Sequence, residues 1–513
     1  MEPAPRRTYA RDVLCRTFGI DLRSLALLRV ALALLLLADL ALRLPFLSAH
    51  LSDSGILPRE AVQAFTPYAW AGSPAWAGAL FAVAAACALC LLAGWHTRPA
   101  TIASWALLVS LHLRNPYLND AGDKLLALLL FWGMFLPLGA YASLDARAGR
   151  APKFERPQVC SPASLALLLQ VAFVYAFTAL LKNPRLWLVE GTAVYYSLHV
   201  DLVATEAGRA LLSHPSLLKA LSRATWLLEF FGPFLAFVPV RTAAFRLAVV
   251  AAFVGLHIGL AVCFHLALFS AVCIAAWTAF LPGEMWDTLG RTRFARRLVS
   301  LASALPARTP ARERAVPAAR APALDVLIVL LLLYVLWWNV GAIAPALQMP
   351  PSLQRAGEQL SLRQRWSMFA SPLRSDGWWV VPAVLRDGRE ADFFTGRIPV
   401  RWEKPEDVAA TFRSGREMKW LTYAWGAAGA EHRPLIAHYA DWLRREWDAN
   451  HPESEAVESL RVVYRVEETM PAGTLPVRCD QVLFEWSASL GGRVVPHEES
   501  ARTLEEARKR AGG

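Results

Sequence analysis

The chain has 513 residues, of which 55% are hydrophobic and 19% charged, and a mean hydropathy of +0.33, which is too apolar for a water-soluble protein of this length. The formal charge of +11 does not point to nucleic acid, because the arginines gather between apolar runs, where membrane topology places them. The seven cysteines are scattered, and Cys87 and Cys90 stand in an apolar run with no second Cys or His pair nearby, so neither a metal site nor a disulfide framework is expected.

The amino terminus has no small-residue cleavage site after a short apolar core, and the apolar run continues to Leu47. It reads as a first span with a basic flank rather than a removable signal peptide. At about 20 apolar residues per crossing, the chain is expected to make about nine spans. They fall near Leu25 to Leu47, Pro74 to Gly94, Thr101 to Leu113, Asp123 to Ala142, Ser164 to Leu181, Ala224 to Val240, Ala243 to Cys263, His265 to Leu281, and Leu324 to Ala344. No Gly or Pro marks the junction at Cys263, but the run from Ala243 to Leu281 is too long for one crossing at about 1.5 Å per residue.

The loops sort by charge. "WHTR", "ARAGRAPKFERP", "RTAAFR" and the arginine-rich run after Gly290 are basic, whereas "HLSDSGILPRE", "RNPYLND" and the stretch from Asn183 to Arg223 are mixed. The positive-inside rule then places the amino terminus in the cytoplasm and the carboxyl terminus outside, in a plasma (bacterial inner) membrane. The domains expected are a cytoplasmic segment over 1–20, a membrane domain over 21–282, a basic Ala/Arg/Pro linker over 283–322, a last span over 323–345 and an extracytoplasmic domain over 346–513.

That last domain reads as α+β. "GWWVVPAVLRDGREADFFTG" alternates and turns at Asp-Gly like a hairpin, "RPLIAHYADWLRREWDANHP" is an amphipathic helix, and "SLRVVYRVEETM" is a strand. The paired tryptophans Trp337, Trp338, Trp378 and Trp379 suit an aromatic belt and the surface of a membrane-proximal domain.

Charged side chains at membrane depth are costly, so the few ionisable residues there are candidates for function: Asp39, Asp123, Lys182, Glu229, His257 and His265. Lys182 shares a helical face with Val171, Tyr175 and Thr178, and Pro184 ends that helix. Its amine therefore sits at the outer mouth of a span beside Trp187, Tyr195 and Tyr196. A base in an apolar setting and a lysine snorkelling to headgroups both fit that place. Glu229, three residues after Trp226 and four before Pro233, suits a structural ion pair, a bond to freed backbone or a substrate contact. Asp39 and Arg43, four apart, are expected to pair with each other.

The ordered tracts "LLRVALALLLLADL", "SDSGILPRE", "NDAGDKLLALLLFWGMFLPLGAYASLDA", "YAFTALLKNPRLWLVEGTAVYYSLHVD", "TWLLEFFGPFLAF" and "HIGLAVCFHLALFS" resemble the HTTM (horizontally transferred transmembrane domain) family, which includes the vitamin K-dependent γ-carboxylases. The resemblance covers Asp21 to Pro282. It implies a reduced quinone (vitamin K hydroquinone-like) with O2 and CO2, and a lysine base followed by a Trp and an acidic-Gly pair, a pattern matched by Lys182, Trp187, Glu190 and Gly191. His257 with Phe264 and Phe269 resembles the His and Phe spacing of a later helix in that branch. The family's supporting histidine falls at Asp123 here, counted back from Ser143-Leu144-Asp145. That departure weakens the case for glutamate carboxylation itself and gives Asp123 two readings, a partner that pins the Lys182 ammonium or a relay for its proton.

The resemblance thus implies a carboxylase-like, quinol-dependent oxygenase or carboxylase, with Lys182 and Asp123 catalytic and Tyr175, Trp187, Glu190, Gly191, Tyr195, Tyr196, Glu229, His257 and Phe264 at the substrate or quinone. The competing reading is a non-enzymatic membrane protein that binds a lipid, a quinone or an exported peptide or protein and assists its maturation. A transporter is disfavoured, since the sequence has no inverted repeat.

Overall fold

Apolar runs bounded by Ser-Pro, Gly and basic residues become helices in the computed structural model, which describes residues 5–62, 65–291, 322–427, 434–469 and 477–496, with Thr503 and Glu506. The main helices are α1 (Pro5–Phe18), α2 (Leu22–Arg43), α3 (Pro74–Ala93), α4 (Thr97–Arg114), α5 (Ala121–Gly133), α6 (Pro162–Leu181), α7 (Pro215–Leu235), α8 (Thr242–Cys263), α9 (Phe269–Trp277), α10 (Pro322–Ile343), α11 (Gly415–Thr422) and α12 (Pro434–Asn450). Ser73 and Ser161 cap α3 and α6, each followed by a proline at the first helical position, where a missing N–H leaves nothing unsatisfied. α3 stops at Gly94, in the left-handed conformation at φ 67°.

Among the described residues, five helices are long and apolar enough to cross a membrane: the Leu22–Leu51 run that contains α2, then α3, α6, α8 and α10. The other four expected spans coincide with α4, α5, α7 and α9, which are shorter or more polar. The long run from Ala243 does divide, into α8 and α9, and Ala267 at φ 47° makes the turn between them. Of the expected basic linker, Gly283–Gly290 is helical and residues 292–321 lie outside the described ones.

Contacts sort the loops onto two ends of the bundle. At one end Ile20 and Asp21 pair with Val159 and Gln158, and the Arg246 guanidinium donates to the carbonyls of Thr17 (2.6 Å) and Gly19 (3.1 Å). At the other end the carboxyl-terminal domain packs on the loops that carry Ile56, Leu57, Leu118 and Leu202, which belong to its own hydrophobic core.

That domain is an antiparallel sheet of β1 (Ser375–Val380), β2 (Pro382–Leu385), β3 (Glu390–Asp392), β4 (Val457–Glu468), β5 (Val477–Ser487) and β6 (Gly491–Val494). The order is β3-β2-β4-β5-β6, with β1 also paired to β4, and α12 lies against β4, β5 and β6. The Asp387-Gly388 turn joins β2 to β3, with Gly388 at φ 84° as such a turn requires. Trp378 and Trp379 are buried in the domain core, which corrects the expected surface placement: as neighbours on β1 they point to opposite faces of the sheet, where Trp379 packs on Tyr464 and Trp378 donates to the Trp402 carbonyl beneath Arg465.

Candidate functional site

The site forms where α6 ends against the carboxyl-terminal side. Lys182 closes α6 with an extended backbone (φ −69°, ψ 141°), and Pro184 cannot continue the ladder. The Asn183 N–H therefore leaves the helix and donates to the Ala370 carbonyl at 2.8 Å, while the Ala179 carbonyl accepts the Trp226 indole N–H at 3.1 Å. The Trp226 indole thus caps one carbonyl of the helix end, and a second distant segment holds the chain just past it.

The Lys182 side chain turns inward and is 3% exposed. Its Nζ makes a hydrogen-bonded ion pair with Glu229 of α7, itself 8% exposed, and lies 3.8 Å from the centroid of the Trp187 ring. A cation–π contact of a desolvated ammonium contributes about 2 kcal/mol. The Trp187 N–H donates to the Phe369 carbonyl at 3.0 Å, which fixes the tilt of the indole over the amine. Trp226 stacks on Phe230 at 5.1 Å and 12° and adds an aromatic wall on α7.

About two helical turns before Lys182, the Tyr175 hydroxyl and His257 Nε2 share a 2.8 Å hydrogen bond, with the Tyr175 ring against Phe253 and Trp277. His257 Nδ1 is buried and has no hydrogen-bond partner among the described residues. Phe264 is buried against the Phe369 ring at 5.4 Å.

Of the remaining expected residues, Tyr196 packs with Trp187, Trp226 and Phe369, and Tyr195 with Phe264 and Phe369, whereas Glu190 and Gly191 make no contact with the amine. Glu190 turns outward to Arg185 (2.6 Å) and Thr192 (3.2 Å), and the Arg185 hydrogen bond holds its carboxyl below the usual carboxylate range. Gly191 sits at φ 68° with Lys219 close by, so a Cβ there would lie 3.2 Å from the Lys219 Cα. Its role is the turn. Tyr195 packs against His199 at 4.3 Å with the rings tilted by 46°, and Tyr196 receives the Arg374 guanidinium at 4.9 Å.

Asp123 requires a correction. It is not the partner of Lys182. Its carboxylate accepts from Arg43 at 2.9 Å and from Arg416 at 2.8 and 3.0 Å, and also closes a capping box with Asp120 at the start of α5. Arg416, from α11 of the carboxyl-terminal domain, bonds Asp39 as well, and Asp39 accepts from Arg43 at 2.8 Å, the pairing expected from their spacing. Two carboxylates and two guanidiniums neutralise one another in a buried cluster, with His112 Nε2 3.8 Å from Asp123. A residue that caps a helix and holds two arginines has no coordination left for a lysine elsewhere.

Residues 19–286 match the family model of the HTTM domain, more than half of the 513 residues. The chain belongs to the HTTM family. Comparison with curated proteins and with solved structures gives no match. The Lys182, Glu229 and Trp187 contacts and the Tyr175–His257 pair all lie within the HTTM domain, whereas Phe369, Ala370 and Arg416 come from beyond it. These three were not singled out from sequence. One signal for such a long-range partner was present: Gln170, a lone amide in the apolar run of α6, demands a hydrogen-bonding partner from another element.

Proposed function

We propose that this HTTM-family membrane protein is a carboxylase-like enzyme in which Lys182 is the base, working at the outer face of the membrane. The observation that carries the reading is the Lys182 amine buried between the Glu229 carboxylate and the face of Trp187. A lysine held only for its charge would snorkel to the surface. Here it is turned away from water, at the outer end of a membrane helix, onto a carboxylate that can exchange a proton with it.

In this pair one proton moves from Nζ to the Glu229 carboxylate and leaves both groups neutral. The amine then takes a proton from a bound acid, and the ammonium so formed remains beside the new anion as its counter-ion. Trp187, tied to the Phe369 carbonyl, covers the amine and excludes water from it. Glu229 thus takes the proton-partner role that the sequence reading offered to Asp123.

The residues suit an aromatic ring bearing oxygens. Trp187, Trp226 and Tyr175 supply flat apolar walls, and His257 Nδ1 and the amine supply polar atoms. A reduced quinone held there would supply the electrons with which O2 is activated, and CO2 would be the group fixed.

The test is oxygen consumption and carbon dioxide fixation by the purified full-length protein in lipid, with a panel of quinols. Wild type is expected to turn over with at least one, and Lys182→Arg, which keeps the charge but cannot release its proton, is expected to be inactive. No turnover with any quinol, together with a Lys182→Arg variant that supports the wild-type cellular phenotype, overturns the enzyme reading in favour of binding and maturation of a lipid, quinone or exported peptide.

A further inference from the structure

Past the last membrane helix the chain does not go directly to the soluble sheet. Residues 362–367 alternate in burial: Leu362, Gln364 and Trp366 face inward, and Arg363, Arg365 and Ser367 face outward. This is an extended ribbon with one face on the membrane domain. The Gln364 amide donates to Gln170 Oε1 at 2.9 Å, and its carbonyl oxygen accepts from Gln170 Nε2 (2.9 Å), Asn339 Nδ2 (3.2 Å) and the Trp366 indole (2.9 Å). Gln170 accepts the Trp132 indole as well, at 3.2 Å. Gln170 lies about 16 Å along α6 from Leu181 at 1.5 Å per residue, so the ribbon reaches well below the level of Lys182. Irregular backbone at that depth is tolerated only where protein surrounds it, and this amide network supplies the surroundings.

From that anchor the ribbon runs back to the site. There Phe369, at φ 53°, presents its carbonyl to the Trp187 indole and its ring to Phe264, and the Ala370 carbonyl takes the Asn183 N–H. A non-glycine residue in the left-handed region persists only when its surroundings hold it there. The strain is offset by three contacts, two of them made to Asn183, next to Lys182 in the chain, and to Trp187, its aromatic cover, and the third to Phe264.

We propose that the ribbon is the positioning element of the Lys182 site, with Phe369 as the residue that sets Trp187 over the amine and Gln364 as its anchor. The inference rests on the reading of Lys182 as the working group and adds that the HTTM domain does not form this site alone. Without the ribbon the Trp187 N–H loses its acceptor, the indole is free to tilt, and water reaches the amine.

Amine labelling of the full-length protein in lipid nanodiscs tests this, with a small membrane-permeant amine reagent read peptide by peptide by mass spectrometry over a pH series. The exposed Lys219 serves as the internal reference. In wild type Lys182 is expected to label far more slowly than Lys219. Phe369→Ala should raise Lys182 labelling about tenfold, as a desolvated amine gains water, and move the pH midpoint of its labelling, with Lys219 unchanged. Phe369→Leu, which refills the contact with Phe264, should restore slow labelling. Gln364→Leu should act in the same direction as Phe369→Ala, and if it fails to fold the two Phe369 variants still decide. Unchanged Lys182 labelling in Phe369→Ala, or an equal rise at Lys219, overturns the proposal. Labelling needs no turnover, so failure of the quinol assay and failure of this inference are separate results.

Discussion

Lys182 at the end of α6 and Glu229 on α7 form an ion pair between residues far apart in sequence, both buried. Removing one partner of such a pair leaves an uncompensated charge and costs about 3–5 kcal/mol, whereas replacing both by apolar groups is often neutral. Thermal unfolding of the protein in detergent is therefore expected to fall sharply for Lys182→Met and for Glu229→Leu, and to recover most of the loss in the double variant. Catalytic turnover should stay absent in all three. A double variant no more stable than the singles would mean that the two side chains do not stabilise each other.

The second buried cluster does different work. Arg416 reaches from the soluble domain to Asp39 and Asp123, and donates to the Leu118 carbonyl at 2.9 Å. Its fork geometry is what lets one side chain serve two carboxylates. Arg416→Ala is expected to cost about 3–5 kcal/mol by leaving two buried carboxylates to Arg43, read as faster limited proteolysis of the carboxyl-terminal domain in membranes. Arg416→Lys should restore little of the protection. Asp123→Asn should weaken the same docking without raising activity at Lys182; a rise in activity would return Asp123 to the site.

These two clusters measure how far the sequence could be read. Helix positions were legible because each apolar run is long and punctuated by Ser-Pro, Gly or Arg, and Lys182 stood out because a charge in an apolar, membrane-spanning run is costly. The Asp39–Arg43 pair was legible too, since both residues lie on one helix at a spacing of four. The partners of Lys182 and Asp123 were not. Glu229, Arg416 and Phe369 meet them across 47, 293 and, through Trp187, 182 residues of chain, and no local periodicity encodes such distances. Asp123 was misread for a physical reason. A carboxylate three residues into a helix is equally suited to a capping box and to a catalytic pair, and only the placement of Arg43 and Arg416 decides between them.

A third prediction concerns pH. The Asp376 carboxyl on β1 is pushed up to about 7 by burial and then by the neighbouring Asp201, whose N–H it accepts; Lys404 sits with Asp201 and Glu467 at 2.6 Å each. Between the ordinary carboxyl value of about 4 and 7 the folded protein keeps a proton that the unfolded chain has released. This group's contribution is then fully present below about pH 4 and is lost as pH rises through about 7. Chemical denaturation of the carboxyl-terminal domain, followed by tryptophan fluorescence, should show a midpoint that falls over that window. Asp376→Asn should flatten the dependence and raise the midpoint above pH 7; an unchanged slope in the variant would assign the pH dependence to other groups.

The last prediction concerns which end of the bundle faces the cell interior. The two ends are distinguished by contact: one gathers Ile20, Asp21, Gln158, Val159 and Arg246, and the other carries the carboxyl-terminal domain on Ile56, Leu118 and Leu202. The first end has the basic loops "ARAGRAPKFERP" and "RTAAFR", and excess Lys and Arg beside spans is retained in the cytoplasm. The soluble domain, the Lys182 site and the ribbon then face outward together. A reporter that is active only outside the cytoplasm, fused after Gly513, should be active, and one active only inside should work when placed near Pro310. Each fusion also reads the parity of the membrane crossings, because α4, α5, α7 and α9 are shorter or more polar than the five strongly apolar helices, and failure of any one of them to cross would exchange the sides of the two reporters. Cytoplasmic activity at Gly513 would put the Lys182 site on the inner face, and a substrate for it would then have to come from the cytoplasm.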